Sequence, residues 1–170
     1  MLPVMTNENL NVINLPDVPQ EEFEKHPKRF LNKKLIAKTL FMLPLLIGVI
    51  VMVFFVDTWI AVAAGSLWLL LLILVLFLAY KEYFVRGYVL REKDITYRYG
   101  WLFHHEITVP FNRIQHTEVN DGPIDRAFNL CELQIYTAGG SASDLSISGL
   151  DPMVAAKLKD FISGKATRHA

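Results

Sequence analysis

Cysteine is nearly missing from this chain. Cys131 is the only one in 170 residues, so no disulfide can form within it. That agrees with a reducing compartment. An excess of positive charge is missing too. Lys plus Arg equals Asp plus Glu over the whole sequence, and the two are equal again over residues 81–170. A nucleic-acid-binding domain normally shows a basic excess there, so no nucleic-acid partner is expected. Catalytic signatures are absent as well. There is no phosphate-binding glycine loop, no G-x-G-x-x-G and no H-E-x-x-H, and Ser141 and Ser143 have no G-x-S-x-G setting. Residues 1–30 lack the basic start and apolar core of a cleaved signal peptide. No enzyme and no cofactor are expected.

Charge is absent where it matters most. From Thr39 to Tyr80 the only charged residue is Asp57. About 20 apolar residues suffice to cross the hydrocarbon core as a helix, so 39–56 and 59–80 both read as spans. Hydrophobic content of 52% fits a chain with such a segment. Only Asp57-Thr58 separates the arms, which predicts a tight hairpin with both free ends on one side. Lys25, Lys28, Arg29, Lys33, Lys34 and Lys38 precede it, Lys81, Arg86 and Arg91 follow it, and the turn has no basic residue. Both termini are therefore expected on the cytoplasmic side. Trp59 and Tyr80 sit where interfacial aromatic belts lie. Pro44 is expected to loosen the first helix. Ala61 and Gly65, four apart, form a small-residue packing patch that should meet Gly48 or its neighbours, within the hairpin or on a second copy. With so little polar chemistry the hairpin is an anchor, not a pore or a pump.

The rest divides around it. Residues 1–38 form an N-terminal segment, basic near the membrane, and its first twenty read as extended and irregular. Within it Pro27 is expected to interrupt any single long helix, and Phe23, Phe30, Leu31 and Leu35 alternate with basic residues. That stretch reads as a topology signal rather than a surface-lying helix. Residues 81–164 form a domain and 165–170 a tail.

Within the domain, period-two alternation predicts strands over Phe84–Leu90, Ile95–Tyr99, Phe103–Val109, Ile114–Asn120, Leu133–Thr137 and Leu145–Ile147. The fourth alternates imperfectly, which suggests a bulge, and Ile124–Phe128 can form one helical turn. Asp151 is a good N-cap with Pro152 at the first helical position. Val154, Leu158, Phe161 and Ile162 then make one apolar face, and Gly164 is a natural stop. The fold class is α+β: a two-helix transmembrane hairpin, then a small antiparallel β-barrel or sandwich capped by a C-terminal helix.

The segment Val109-Pro110-Phe111-Asn112-Arg113-Ile114-Gln115 resembles the P-x-x-R-I-Q stretch of the bacterial pleckstrin-homology-like family, YdbS-like branch. Asp121 to Leu130 resembles its next block, and Thr137-Ala138-Gly139-Gly140 its T-A-G turn. Asn129 departs from the family's usual Gly, but Asn tolerates the left-handed backbone better than most residues. The resemblance covers residues 20–163 and implies a pleckstrin-homology-like barrel on a membrane anchor of the bacterial inner membrane. It implies no chemistry.

Function is therefore sought in contacts. The first expectation is an interaction or scaffold module whose partners are the lipid bilayer and another membrane protein or a second copy. Gly122, Pro123, Arg126, Gly139 and Gly140 are its candidate interaction loops. The alternative is a reader of anionic lipid headgroups through Lys81, Arg86, Arg91 and Arg113. Arg113 and Arg126 can equally brace turns, Arg113 for instance against Asp125. His104 and His105 point to opposite faces of a strand, and His104 shares a face only with Glu106, so a metal site is not expected.

Overall fold

The computed structural model describes residues 22–138 and 144–169, the last four by backbone alone. The irregular stretch expected over 1–20 and the loop holding Gly139 and Gly140 lie outside the described residues.

Helix α1 runs from Lys28 to Met52 and α2 from Thr58 to Val85. Both are longer than the apolar arms. Pro27 does not break a helix; it stands at the N-cap, and the basic stretch behind it is the helical start of α1. The hairpin link is also longer than expected. It covers Val53 to Asp57, where turn-type bonds such as Val53 N–H to Ile50 O (3.2 Å) replace the helical ladder. Helix α1 continues through Pro44, and the Trp68 indole N–H donates to the Met42 carbonyl across the hairpin at 3.2 Å. The hydroxyls of Thr39 and Ser66 each donate to the carbonyl four residues back. Ala61 is buried between the helices, and a Cβ on Gly65 would lie 3.8 Å from Val49, a neighbour of Gly48. The small patch is thus used inside the hairpin, and Gly48 itself faces open space.

Six strands follow in two antiparallel sheets. The first has the order β1 (Gly87–Leu90), β2 (Asp94–Tyr99), β3 (His105–Pro110). A 3-10 turn, Phe111–Arg113, leads to the second, β4 (Ile114–Asn120), β5 (Cys131–Thr137), β6 (Leu145–Leu150). The short helix α3 (Pro123–Ala127) joins β4 to β5, and α4 (Pro152–His169) ends the chain. No closed barrel forms: the described strands make two separate three-stranded sheets. The strand expected from Phe84 begins only at Gly87, because α2 continues to Val85. β4 carries its register shift between Ile114 and His116. Asn129 has φ +52°, the left-handed backbone that Asn accepts.

One core serves both sheets. Tyr88, Ile95, Tyr97 and Val109 enter it from one side, Leu133, Ile135, Leu145 and Ile147 from the other. Helix α4 covers it with Ala155, Leu158 and Ile162, while Phe161 lies edge-on to Phe111 at 6.0 Å. Asp151 caps α4 through its carboxylate, which accepts from Met153 N–H at 2.9 Å. Gly164 does not stop the helix, which continues to His169.

Candidate functional site

The feature that sets this molecule apart is the junction where the helices leave the membrane and meet the sheets. One residue, Arg86, separates α2 from β1. On the other side, the residues before α1 return to the same place. Glu24 and Tyr88 exchange backbone hydrogen bonds (2.8 and 3.1 Å), so the N-terminal segment borders β1, and the Tyr88 hydroxyl donates to the Glu24 carboxylate at 2.7 Å. Phe30, 2% exposed, presses against Gly149 of β6. The basic residues around it have partners. Arg29 pairs with Asp151, Lys33 with Asp125, and Lys34 lies 3.0 Å from Glu82. The first two turns of α1 are therefore clamped to β6, α3, the N-cap of α4 and α2. Sequence reasoning found these charges but gave them only a topological job.

At the centre, Glu82 receives both Lys34 and Arg86. Arg86 also donates to the Tyr97 hydroxyl at 3.0 Å, and its guanidinium lies 5.8 Å from the Phe30 ring centre. Two cations share one carboxylate, so removing it leaves largely buried positive charge without a counter-ion. Breaking a buried pair costs roughly 3–5 kcal/mol. Glu82 keeps some contact with solvent, so Glu82→Gln is expected to cost about 2–3 kcal/mol, read as a lowered thermal midpoint of the full chain in detergent.

His26 sits beside this cluster, 3% exposed, its ring centre 5.0 Å from that of Phe30 and 6.0 Å from that of Tyr97. Neither ring nitrogen has a hydrogen-bond partner among the described residues. Burial, then Arg86, then Lys34 push its pKa from 6.5 down to about 4. The unfolded chain therefore takes up this proton first. The stability that depends on neutral His26 is intact above pH 6.5 and is lost as pH falls towards 4. A shift of that size corresponds to roughly 3 kcal/mol. His26→Phe keeps the ring and removes the titration. It is expected to flatten the fall in thermal midpoint over that pH range without lowering the midpoint at neutral pH.

The remaining candidates are scattered. Lys81 is exposed at the membrane end of α2, its ammonium 5.5 Å from the Phe77 ring centre. Arg86 is turned inward, as described, and Arg91 pairs with Asp94 at 3.1 Å. Arg113 is exposed, and its carbonyl accepts from Ala138 N–H. Asp125 is taken by Lys33 rather than Arg113. Arg126 braces Asp121 with two bonds of 3.2 Å beside Gly122 and Pro123. The histidines diverge: His105 stacks on Tyr99, His116 on Tyr136, and Glu106 pairs with Arg98. No group of three metal-ligating residues occurs among the described residues. Burial, then the nearby Asp121 and Asp125, push the Cys131 thiol up, which makes it a poor nucleophile.

The two-helix anchor running into these sheets is matched by a family model described as "Bacterial PH domain" over residues 39–166, three quarters of the chain. The protein belongs to the bacterial PH-domain family. The UPF0699 transmembrane protein YdbS of Bacillus subtilis (strain 168) is 29% identical over 134 residues, covering 78% of this chain and 82% of that one. No solved structure matches. The bacterial PH-domain match begins at the first apolar arm, so the membrane hairpin is part of the shared unit. With two long apolar helices and a transmembrane relative, this bacterial PH-domain protein is a multi-pass membrane protein. Among the described residues it presents no catalytic motif.

Proposed function

We infer that the protein is a cytoplasm-facing interaction module of the bacterial inner membrane. It acts as a scaffold in a complex with another membrane protein or with copies of itself. The observation that carries this reading is the open side of the sheets. β3 and β6 are edge strands among the described residues, and a cavity of about 310 Å³ lies between the sheets, lined by Tyr99, Ile107 and Leu145 together with the polar Arg86, Asp144 and Ser146. An edge strand beside a slot of mixed polarity can receive an extended segment of a partner, its backbone pairing with the edge and its side chains entering the slot. Partners of the same membrane are favoured because the domain has no slack to leave the surface. Gly122 caps α3 and Pro123 and Arg126 belong to it, and Lys33 of α1 pairs with Asp125 of the same helix, which supports this short helix as a contact surface close to the anchor. Ala61 is buried and Gly65 faces Val49 within the hairpin, so self-association is expected through a surface other than this small-residue patch.

The test places a photo-crosslinking residue at Glu106, whose ion pair with Arg98 is exposed and dispensable. Irradiation of intact cells should give an adduct with a membrane protein or a dimer. Recovery of monomer alone would remove the reading. The rival, headgroup binding through Lys81, Arg91 and Arg113, predicts no adduct and a loss of anionic-lipid association when those three are neutralised. The cytoplasmic orientation rests on the flanking charges. Protease added outside intact cells should spare the C-terminal half, and protease added to inverted vesicles should digest it.

A further inference from the structure

The turn between β2 and β3 reads Gly100-Trp101-Leu102-Phe103, three large apolar side chains in consecutive positions, where the domain's other exposed apolar residues stand singly. Leu102 is 72% and Phe103 73% exposed, so neither serves the core. Gly100, at φ +86°, makes the turn tight enough that a side chain there would collide with the Phe103 carbonyl. The chain thus bends sharply and holds the three residues outward. Their surroundings identify what they meet. Trp101 lies edge-on to Phe77 of α2, with centroids 6.4 Å apart. Leu78 of α2, and Glu82 one turn nearer the sheets, line a hollow together with Trp101, Leu102 and Phe103. Phe77 is four residues before Lys81, where charge resumes, so it lies about 6 Å inside the apolar end of the span. A turn touching that level is at lipid depth.

We propose that Trp101, Leu102 and Phe103 form a third membrane contact, a wedge seated in the headgroup–acyl boundary of the same leaflet from which α2 emerges. The occupant is lipid, and the argument is continuity: the wedge extends the apolar surface of a helix that already spans the bilayer. This rests on the spanning assignment of α2. The boundary also suits the wedge chemically. Trp favours that zone, and a turn with free backbone groups can satisfy them there but not in the hydrocarbon centre. Lys81 stands beside it for anionic headgroups.

Single-tryptophan forms of the full chain test it. Trp59→Phe with Trp68→Phe leaves Trp101, and Trp59→Phe with Trp101→Phe leaves Trp68 at mid-helix. Each is reconstituted in vesicles holding nitroxide lipids labelled near the headgroup or near the acyl terminus. Trp101 emission should be quenched more by the shallow label, Trp68 emission more by the deep one. Adding Leu102→Glu and Phe103→Glu to the Trp101 form should abolish its lipid quenching. Quenched Trp68 with Trp101 open to aqueous acrylamide would overturn the wedge alone. Trp101 shielded from both lipid and acrylamide would replace lipid by a second protein surface and overturn it too. Unquenched Trp68 would overturn the span itself.

Discussion

A polypeptide beginning at Lys81 and holding every strand is expected not to reach the native fold. It lacks Phe30, whose ring fills the space above Gly149, and deleting a buried Phe side chain costs about 3–5 kcal/mol. It also lacks the Glu24 backbone that borders β1, the His26 ring packed on Tyr88 and Tyr97, and the partners of Asp151 and Asp125. Arg86 loses the Phe30 face beneath it. Domains of this size hold roughly 5–15 kcal/mol in total, so these losses use up most or all of that. The fragment should show a weak or non-cooperative thermal transition by circular dichroism. Joining residues 22–38 to 81–170 through a flexible linker in place of the hairpin should restore a cooperative one. If the bare fragment melts as sharply and as high as the joined form, the N-terminal segment is a surface appendage.

Gly149→Ala should be strongly damaging for a single added methyl. At φ +82° an L-residue carries about 1–2 kcal/mol of backbone strain. The new Cβ also points into the Phe30 ring, and overpacking of a filled site adds roughly 1–3 kcal/mol. A total of about 2–5 kcal/mol is expected, seen as a lower thermal midpoint in detergent. The two parts separate in a double-mutant cycle. With Phe30→Ala in place the collision is gone, so Gly149→Ala should then cost only its backbone strain. Equal costs in both backgrounds would mean that Phe30 does not press on β6.

What could be read in advance followed local rules. The charge-free arms, the Asp151 cap, the α4 stripe, the β4 bulge and the left-handed Asn129 each depend on residues within a few positions of one another. The junction does not. Phe30 meets Gly149 and Lys34 meets Glu82, partners that no periodicity connects. The alternation from Phe84 to Leu90 misled for a physical reason. Its first two residues obey period two but belong to the last turn of α2, which the Glu82–Arg86 pair and the Tyr83 hydroxyl on the His26 carbonyl hold in helical form. Barrel closure failed for a similar reason: alternation reveals which faces are apolar, not whether edge strands join. Of the loop candidates, Arg126 was legible as a brace because Asp121 is five residues away. Arg86 was not, because its partners on β2 and β6 are distant in the chain.

A lone residue joins α2 to β1, and Phe30 locks the other helix to β6. Among the described residues this leaves little slack between lipid and sheets. Spans tilt by about 20° on average and adjust that angle to bilayer thickness. A lean taken by the hairpin is therefore expected to carry the β3 edge with it, which makes the thickness of the surrounding bilayer a determinant of where that edge is aimed.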